Sequence, residues 1–255
     1  MPRKPRIEHI GFHHIINRGV ARSNIFLKDD DFKKFLQIVI EAKERYDFIL
    51  HSFCLMNNHY HLLVETKSEN LSLIARQINS KYAQYFNKEY KRVGPLWQGR
   101  FKNSFIFDDN YLLILFKYIE QNPIKANITK EVGKYKWSSS FCVSNGIYNE
   151  LLKDSMLHDQ KIFKMLNSKI SDIELQRLKE LEKTKYKQDK NKKVVRLREK
   201  PLKDYFDDIP NIKTRNKKIK EAVLDGYKQS EIADFLKLSR TTISKVLKYS
   251  MEDDI

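Results

Sequence analysis

Between Phe48 and Glu65 the chain carries two strand-like runs, FILHSFCLM and HYHLLVE, separated only by Asn57-Asn58. Two such runs joined by a two-residue Asn turn predict an antiparallel hairpin. Alternate side chains of a strand share a face. His59 and His61 therefore project together, about 7 Å apart at their α-carbons for a rise of ~3.4 Å per residue. Both imidazoles are then within reach of one metal ion. Two ligands make an incomplete metal site, which leaves coordination positions open for a substrate. Tyr60, between them, faces the opposite way, toward a core.

The neighbouring segments extend the hairpin into a domain. Residues 12–17 (FHHIIN) read as a strand ended by Arg18-Gly19. Asp29 to Arg45 has Phe32, Phe35, Leu36, Val39 and Ile40 at helical spacing. Leu71 to Tyr90 repeats the pattern with Leu71, Ile74, Ile78, Tyr82, Tyr85 and Phe86, and Gly94-Pro95 then breaks the chain. Gly99 to Phe107 reads as a strand. Asp109 to Gln121 reads as a helix that stops near Asn122, because Pro123 disfavours helical geometry in the residue before it. The order strand, helix, hairpin, helix, strand, helix predicts an α+β domain over residues 1–145, an antiparallel sheet with helices packed on it. Residues 146–203 are expected to form a helical extension and a basic linker. Lys183 to Lys203 holds ten Lys/Arg and two acids, a composition that reads as a solvated tether or as a strip lying along DNA phosphates.

The formal net charge is +16, from 49 Lys+Arg against 33 Asp+Glu. Such a surplus selects polyanionic partners. No apolar run approaches the ~20 residues of a membrane span, and the start, MPRKPRIEHI, has no apolar signal-peptide core. Nucleic acid is therefore the expected partner rather than a membrane, and the cytoplasm the expected location. Only two cysteines, Cys54 and Cys142, are present. That excludes a disulfide framework or a cysteine-rich zinc site.

Residues 204–255 are expected to form a small all-α unit. Within it, QSEIADFLKLSRTTISKVLK (229–248) has the outline of a helix-turn-helix. Ser230 is placed to cap a helix carrying Ile232, Ala233 and Leu236. Ser239 is placed to cap the next, carrying Ile243, Val246 and Leu247. The second helix would present Arg240, Thr241, Thr242 and Lys245, residue types that contact base edges and phosphates. The segment is similar to the helix-turn-helix of bacterial DNA-binding proteins, but has Lys237 where that turn often has glycine. The alternative is a three-helix bundle used for protein contacts.

A third metal ligand and a nucleophile must come from outside the hairpin. FKYIEQNP (116–123) offers both, with Tyr118 and Asn122 at i and i+4 on one helical face. Tyr111, seven residues earlier, shares that face but lacks the Asn partner. His13 and His14 are alternative ligands or structural histidines. Arg100 and Lys102 in GRFK can hold phosphates or solvate a strand edge. Trp97 and Trp137 read as core, and nothing requires Glu65 to ligate.

Six ordered blocks carry a resemblance: HHIINRG (13–19), FCLMNNHYHLLVE (53–65), Tyr82 with Tyr85-Phe86-Asn87, PLWQGRFK (95–102), YLLILFKYIEQNPIKA (111–126) and KWSSS (136–140). Over roughly residues 9–140 the sequence resembles the IS200-type tyrosine transposases of the HUH superfamily, in particular the REP-associated branch. The resemblance implies a ferredoxin- or RRM-like sheet flanked by helices. It implies that His59, His61 and Asn122 bind a divalent metal, Mg²⁺ or Mn²⁺, and that Tyr118 is the nucleophile. The ligand types alone suit Mn²⁺ or Zn²⁺ better than Mg²⁺. The implied reaction is cleavage and rejoining of single-stranded or hairpin DNA through a 5′-phosphotyrosine. The C-terminal unit would add duplex binding, and a homodimer is open. The alternative is a DNA-binding regulator or domesticated host protein with little or no transposition activity.

Overall fold

The computed structural model describes residues 8–106, 109–183, 186–188, 194–196, 201–207, 209–224 and 227–248. The chain divides into two compact units, residues 1–182 and 183–255.

The first unit is built on the expected order. β1 (Gly11–Arg18), α1 (Asp29–Tyr46), β2 (Phe48–Met56), β3 (His59–Thr66), α2 (Leu71–Glu89) and β4 (Lys102–Ile106) form a βαββαβ unit. The four strands make one antiparallel sheet in the order β2-β3-β1-β4. Read from the other edge this is the ferredoxin-like order. Both crossover helices pack on one face, where Phe35, Leu36, Ile74, Ile78 and Tyr82 meet Ile15, Leu50, Phe53, Tyr60, Leu62 and Val64. Period-two alternation puts Leu63 on the other face, in a second core with Cys54 and Met56. A bulge at His51 shifts the β2 register between Leu50 and Ser52. The extra residue lets Leu50 and Phe53 point into the same core although they are three apart.

The second face is covered by α3 (Asp109–Glu120), whose Leu112, Leu115, Phe116 and Ile119 are buried there. The helix breaks at Gln121, and a short α4 (Asn122–Lys125) follows with Pro123 near its start. Asn122 is thus not in the helix of Tyr118, as the i, i+4 reading expected. It opens the next one, and its side-chain Nδ2 donates to the Tyr118 carbonyl at 2.9 Å. β4 also starts at Lys102 rather than Gly99. Gln98 N–H donates to the Arg18 carbonyl at 2.9 Å, and Trp97 bridges Gly19, so residues 97–101 run as a loop pinned to the end of β1.

The expected domain end at residue 145 falls inside the first unit. α5 (Ser139–Ser144), α6 (Asn149–Leu152), α7 (Gln160–Leu166) and α8 (Asp172–Lys183) follow. Leu157, Leu166 and Leu178 join the α3 core. Lys117 Nζ, almost fully buried, donates to the Lys169 carbonyl at 3.0 Å and to Glu174 at 3.3 Å. Gln121 Nε2 donates to the carbonyls of Leu166 and Ser168. The weak apolar pattern of this stretch reflects short helices that each bury only a few side chains.

In the second unit, β5 (Tyr186–Gln188) pairs antiparallel with β6 (Val194–Arg196), where a solvated linker was expected. The rest of that basic stretch, 184–185, 189–193 and 197–200, lies outside the described residues. α9 (Leu202–Phe206), α10 (Ile212–Leu224), α11 (Gln229–Leu236) and α12 (Arg240–Lys248) surround Ile219, Ala222, Tyr227, Ile232, Ala233 and Ile243. Ser230 is not the cap of α11. Lys228 occupies that position, and its N–H donates to Glu231 at 2.7 Å. Ser239 does cap α12, accepting from Thr242 N–H at 3.0 Å. Lys237 adopts φ 53°, the left-handed conformation that ends α11, and Leu238 N–H reaches the Ala233 carbonyl.

Candidate active site

The β3 alternation that buries Tyr60 under α1 and α2 sends His59 and His61 to the α3 face. Their rings lie 5.0 Å apart, nearly edge-on. In the β1–β3 register Arg18 sits opposite His59 and Ile16 opposite His61, and on the far side of β1 Lys102 pairs with Ile16. Tyr118 reaches over from α3 with its ring 5.9 Å from that of His61. Lys125, on α4, places Nζ 5.3 Å from the centre of the Tyr118 ring.

These groups line one cavity of about 1060 Å³, together with Asn122 and with Gln98, Arg100 and Asn103 from the pinned loop and β4. The sequence-derived set His59, His61, Tyr118, Asn122, Arg100 and Lys102 is therefore brought together. Among the described lining residues Arg18, Arg100, Lys102 and Lys125 are cationic, and none is Asp or Glu. Such a wall attracts a polyanion. Tyr111 is placed elsewhere, buried in the α3 core. Glu65 bonds His51 at 3.0 Å instead of lining the cavity. Trp137 stacks on Phe32 in the core, and Trp97 Nε1 donates to the Asn79 carbonyl. Arg240, Thr241 and Lys245 are exposed on α12. Thr242 is half-buried, and both threonine hydroxyls bond Ser239.

His14, whose role the sequence left open, lies beneath His61. Its Nε2 is 2.9 Å from His61 Nδ1, with the ring planes 13° apart. On the other side, Asn58 Oδ1 is 2.6 Å from His59 Nδ1. Burial pushes His14 down to about 3. Burial first, then the Arg18 charge, lowers His59 to about 4. Burial, then His14, His59 and Arg18, holds His61 well below the usual histidine value. All three rings are thus neutral at pH 7, the form that ligates cations.

The residues fit a divalent ion. His61 Nε2 is buried without a hydrogen-bond partner, an orphan that a cation would satisfy. The Asn122 amide nitrogen is engaged by the Tyr118 and Ile119 carbonyls, which leaves its oxygen as the ligating end. Among the described residues no three or more His, Cys, Asp or Glu are arranged to hold one metal ion together. The donor set is therefore two imidazoles and an amide oxygen, with further positions open to substrate oxygens.

Sequence reading missed Arg18, Lys125, Asn58 and the part played by His14. Arg18 had a signal: it lies two and four residues after Ile16 and His14, so all three share a strand face. Lys125 follows Asn122 by three, the spacing of helical neighbours.

Comparison with known proteins finds similarity over the first unit. The model of the family described as transposase IS200 like matches residues 11–122, which run from the first residue of β1 to Asn122. A curated relative from Haemophilus influenzae, named as a REP-associated tyrosine transposase, is 25% identical over 121 residues, 43% of this chain and 69% of the relative. Solved structures similar to this one include a REP-associated tyrosine transposase bound to a REP hairpin. It is 21% identical over 58% of this chain and 88% of that one, with a TM-score of 0.47. A transposase-like protein from Deinococcus radiodurans R1 is 16% identical over 48% of this chain and 97% of that one, with a TM-score of 0.34. Residues 11–122, which contain the sheet, its histidine pair and the tyrosine helix, are thus the part of the chain that is similar to the IS200-like transposases.

Proposed function

We propose that this chain is a metal-dependent single-strand DNA transesterase that cleaves and rejoins through Tyr118. The observation that carries the reading is one cavity in which His59, His61, Asn122 and Tyr118 meet beside four cationic side chains and, among the described residues, no carboxylate. His59, His61 and the Asn122 oxygen would hold the divalent ion, Mg²⁺ or Mn²⁺. When bound, it supplies Lewis-acid polarisation of the scissile phosphate.

The chain's own residues do the rest. A phenol has a reference pKa of ~10 and is a weak nucleophile at pH 7. The Lys125 ammonium lies 5.3 Å from the centre of the Tyr118 ring, on the wall that faces the incoming phosphate. Arg18, Arg100 and Lys102 fix the backbone phosphates, which orients one of them for in-line attack. The Tyr118 oxygen–phosphorus bond forms as the phosphorus–O3′ bond breaks. The phenol proton passes to solvent, and the departing 3′-oxygen takes up a proton. The 5′-phosphotyrosine conserves the bond energy, so a 3′-hydroxyl of another strand can reverse the step without a nucleotide cofactor.

The substrate proposed is a strand able to form a hairpin, which is also the DNA named for the solved REP-associated relative. The three-residue turn between α11 and α12, with exposed Arg240 and Lys245, supports reading the second unit as a helix-turn-helix that holds nearby duplex DNA. Replacing both Arg240 and Lys245 by Ala is expected to weaken duplex binding more than single-strand cleavage. Equal loss of both would assign the unit a structural role.

The deciding test uses labelled hairpin-forming oligonucleotides drawn from DNA flanking the gene. Tyr118→Phe is expected to abolish the covalent adduct and retain binding, and excess EDTA to abolish cleavage. An adduct formed by the substituted chain refutes the nucleophile. Binding with no adduct by the unsubstituted chain at any divalent ion would favour the DNA-binding regulator instead.

A further inference from the structure

Two hydrogen bonds behind the histidine pair determine which ring nitrogen each can offer. Asn58 Nδ2 donates to the Arg22 carbonyl at 3.2 Å, which fixes the amide so that its oxygen faces His59 Nδ1 at 2.6 Å. An amide oxygen only accepts. His59 Nδ1 therefore carries the proton, and in the neutral ring Nε2 is bare.

For His61 the partner is another imidazole, and one proton lies between the facing nitrogens, 2.9 Å apart. If His14 donates, the His61 proton must sit on Nε2. That nitrogen is buried and without an acceptor, and orphaned buried N–H groups are the rarer and costlier defect. If His61 donates, its Nε2 is bare, which is the form a cation needs. We propose that Asn58 and His14 are positioning residues that hold His59 and His61 as Nδ1–H tautomers, each presenting an unprotonated Nε2 to one cation in the cavity.

The proposal rests on the reading of the pair as metal ligands. It has a chemical consequence of its own. Ligating histidines commonly donate to a carboxylate, carbonyl or water. Here both acceptors are uncharged, and no described acid lines the cavity. Negative charge at the site must come from the DNA phosphate. The device therefore orients the ligands without the added basicity that a carboxylate partner confers.

The test uses the full chain, uniformly ¹⁵N-labelled and free of metal. Long-range proton–nitrogen spectra are expected to show pyridine-like Nε2 signals for His59, His61 and His14. A pyrrole-like Nε2–H on His59 or His61 overturns the assignment for that ring. Mn²⁺ alone, followed by paramagnetic resonance, then gauges the effect on the site. His14→Leu and Asn58→Leu are each expected to weaken Mn²⁺ binding by ~10–100-fold, and Asn58→Asp and His14→Gln, which keep an acceptor, to retain most of it. Unchanged binding in both Leu variants overturns the positioning role. Should His14→Leu fail to fold, Asn58→Leu, in the half-buried hairpin turn, and the spectra of the unsubstituted chain still decide. If the unsubstituted chain takes up no Mn²⁺, it is the metal reading that falls, whereas a wrong tautomer defeats the proposal whatever the metal result.

Discussion

Replacing Glu120 by Ala should loosen the helix that carries Tyr118. Glu120 is buried at the end of α3, two residues after that tyrosine. Its carboxylate accepts from Ser52 Oγ at 2.6 Å, from Ser140 N–H at 3.1 Å and from Ser139 Oγ. This ties α3 to β2 and to the start of α5, and burial raises the carboxyl above its usual range. A hydrogen bond to a charged group contributes ~1.5–3 kcal/mol, and a stranded buried donor costs ~1–3 kcal/mol. The two hydroxyls have fallback partners, since Ser139 Oγ lies 3.3 Å from both Ser52 Oγ and the Phe53 carbonyl. Ser140 N–H cannot turn. Removing the carboxylate also returns its desolvation cost. The net loss is on the order of 3 kcal/mol, a fall in melting temperature of roughly 6–12 °C for a domain of this size. Glu120→Gln, which keeps one acceptor and the shape, should lose about a third of that. Tryptophan fluorescence is the proper probe, because Trp97 and Trp137 are the chain's two tryptophans and both lie in the first unit. Melting of Glu120→Ala within about 2 °C of the unsubstituted chain would refute the reasoning.

Gly19→Ala should be destabilising although the backbone there has an ordinary negative φ. A Cβ would sit 2.2 Å from the Ser23 carbonyl and 2.9 Å from Ile25 Cγ2. The overpacking is expected to cost ~1–3 kcal/mol and to slow adduct formation by moving Arg18 and the 97–101 loop; an unchanged melting curve would contradict it. Acid should also weaken the fold before carboxylates titrate. Burial lowers His13 to about 4 and His14 to about 3, whereas the unfolded chain binds those protons near pH 6.5. The unfolded state therefore binds more protons as pH falls below 6.5, so stability is full above that value and declines beneath it. The pair accounts for a loss of about 3–4 kcal/mol by pH 5. Urea midpoints at pH 7.5 and pH 5 measure it, and equal midpoints would show that these rings are not held neutral.

The sheet was legible because each strand states its faces. The period-two pattern of β3 separates Tyr60, Leu62 and Val64 from His59 and His61, and Asn57-Asn58 marks the turn. The helices α1, α2 and α3 were legible from apolar spacing. What escaped depends on register between distant segments. His14 meets His61 across 47 positions, and no local pattern says that two strands will align these rings. The bulge at His51 is likewise set by packing on both faces. Residues 149–183 read as an appendage because their short helices bury isolated side chains. Yet Lys117 and Gln121 of the α3 segment are bonded to them. The cavity's cations came from four separate places, β1, the pinned loop, β4 and α4. All four lie in the blocks that carry the resemblance, but only Arg100 and Lys102 read there as phosphate contacts.

The central claim is that Tyr118 forms a covalent bond to a DNA 5′-phosphate in the histidine-lined cavity. Its most direct test is mass spectrometry of protease digests after reaction with a hairpin-forming strand and Mn²⁺. The account predicts a nucleotide adduct on the peptide containing Tyr118, with fragmentation placing the phosphate on that residue. A phosphate located on Tyr111 or on any other residue would contradict it.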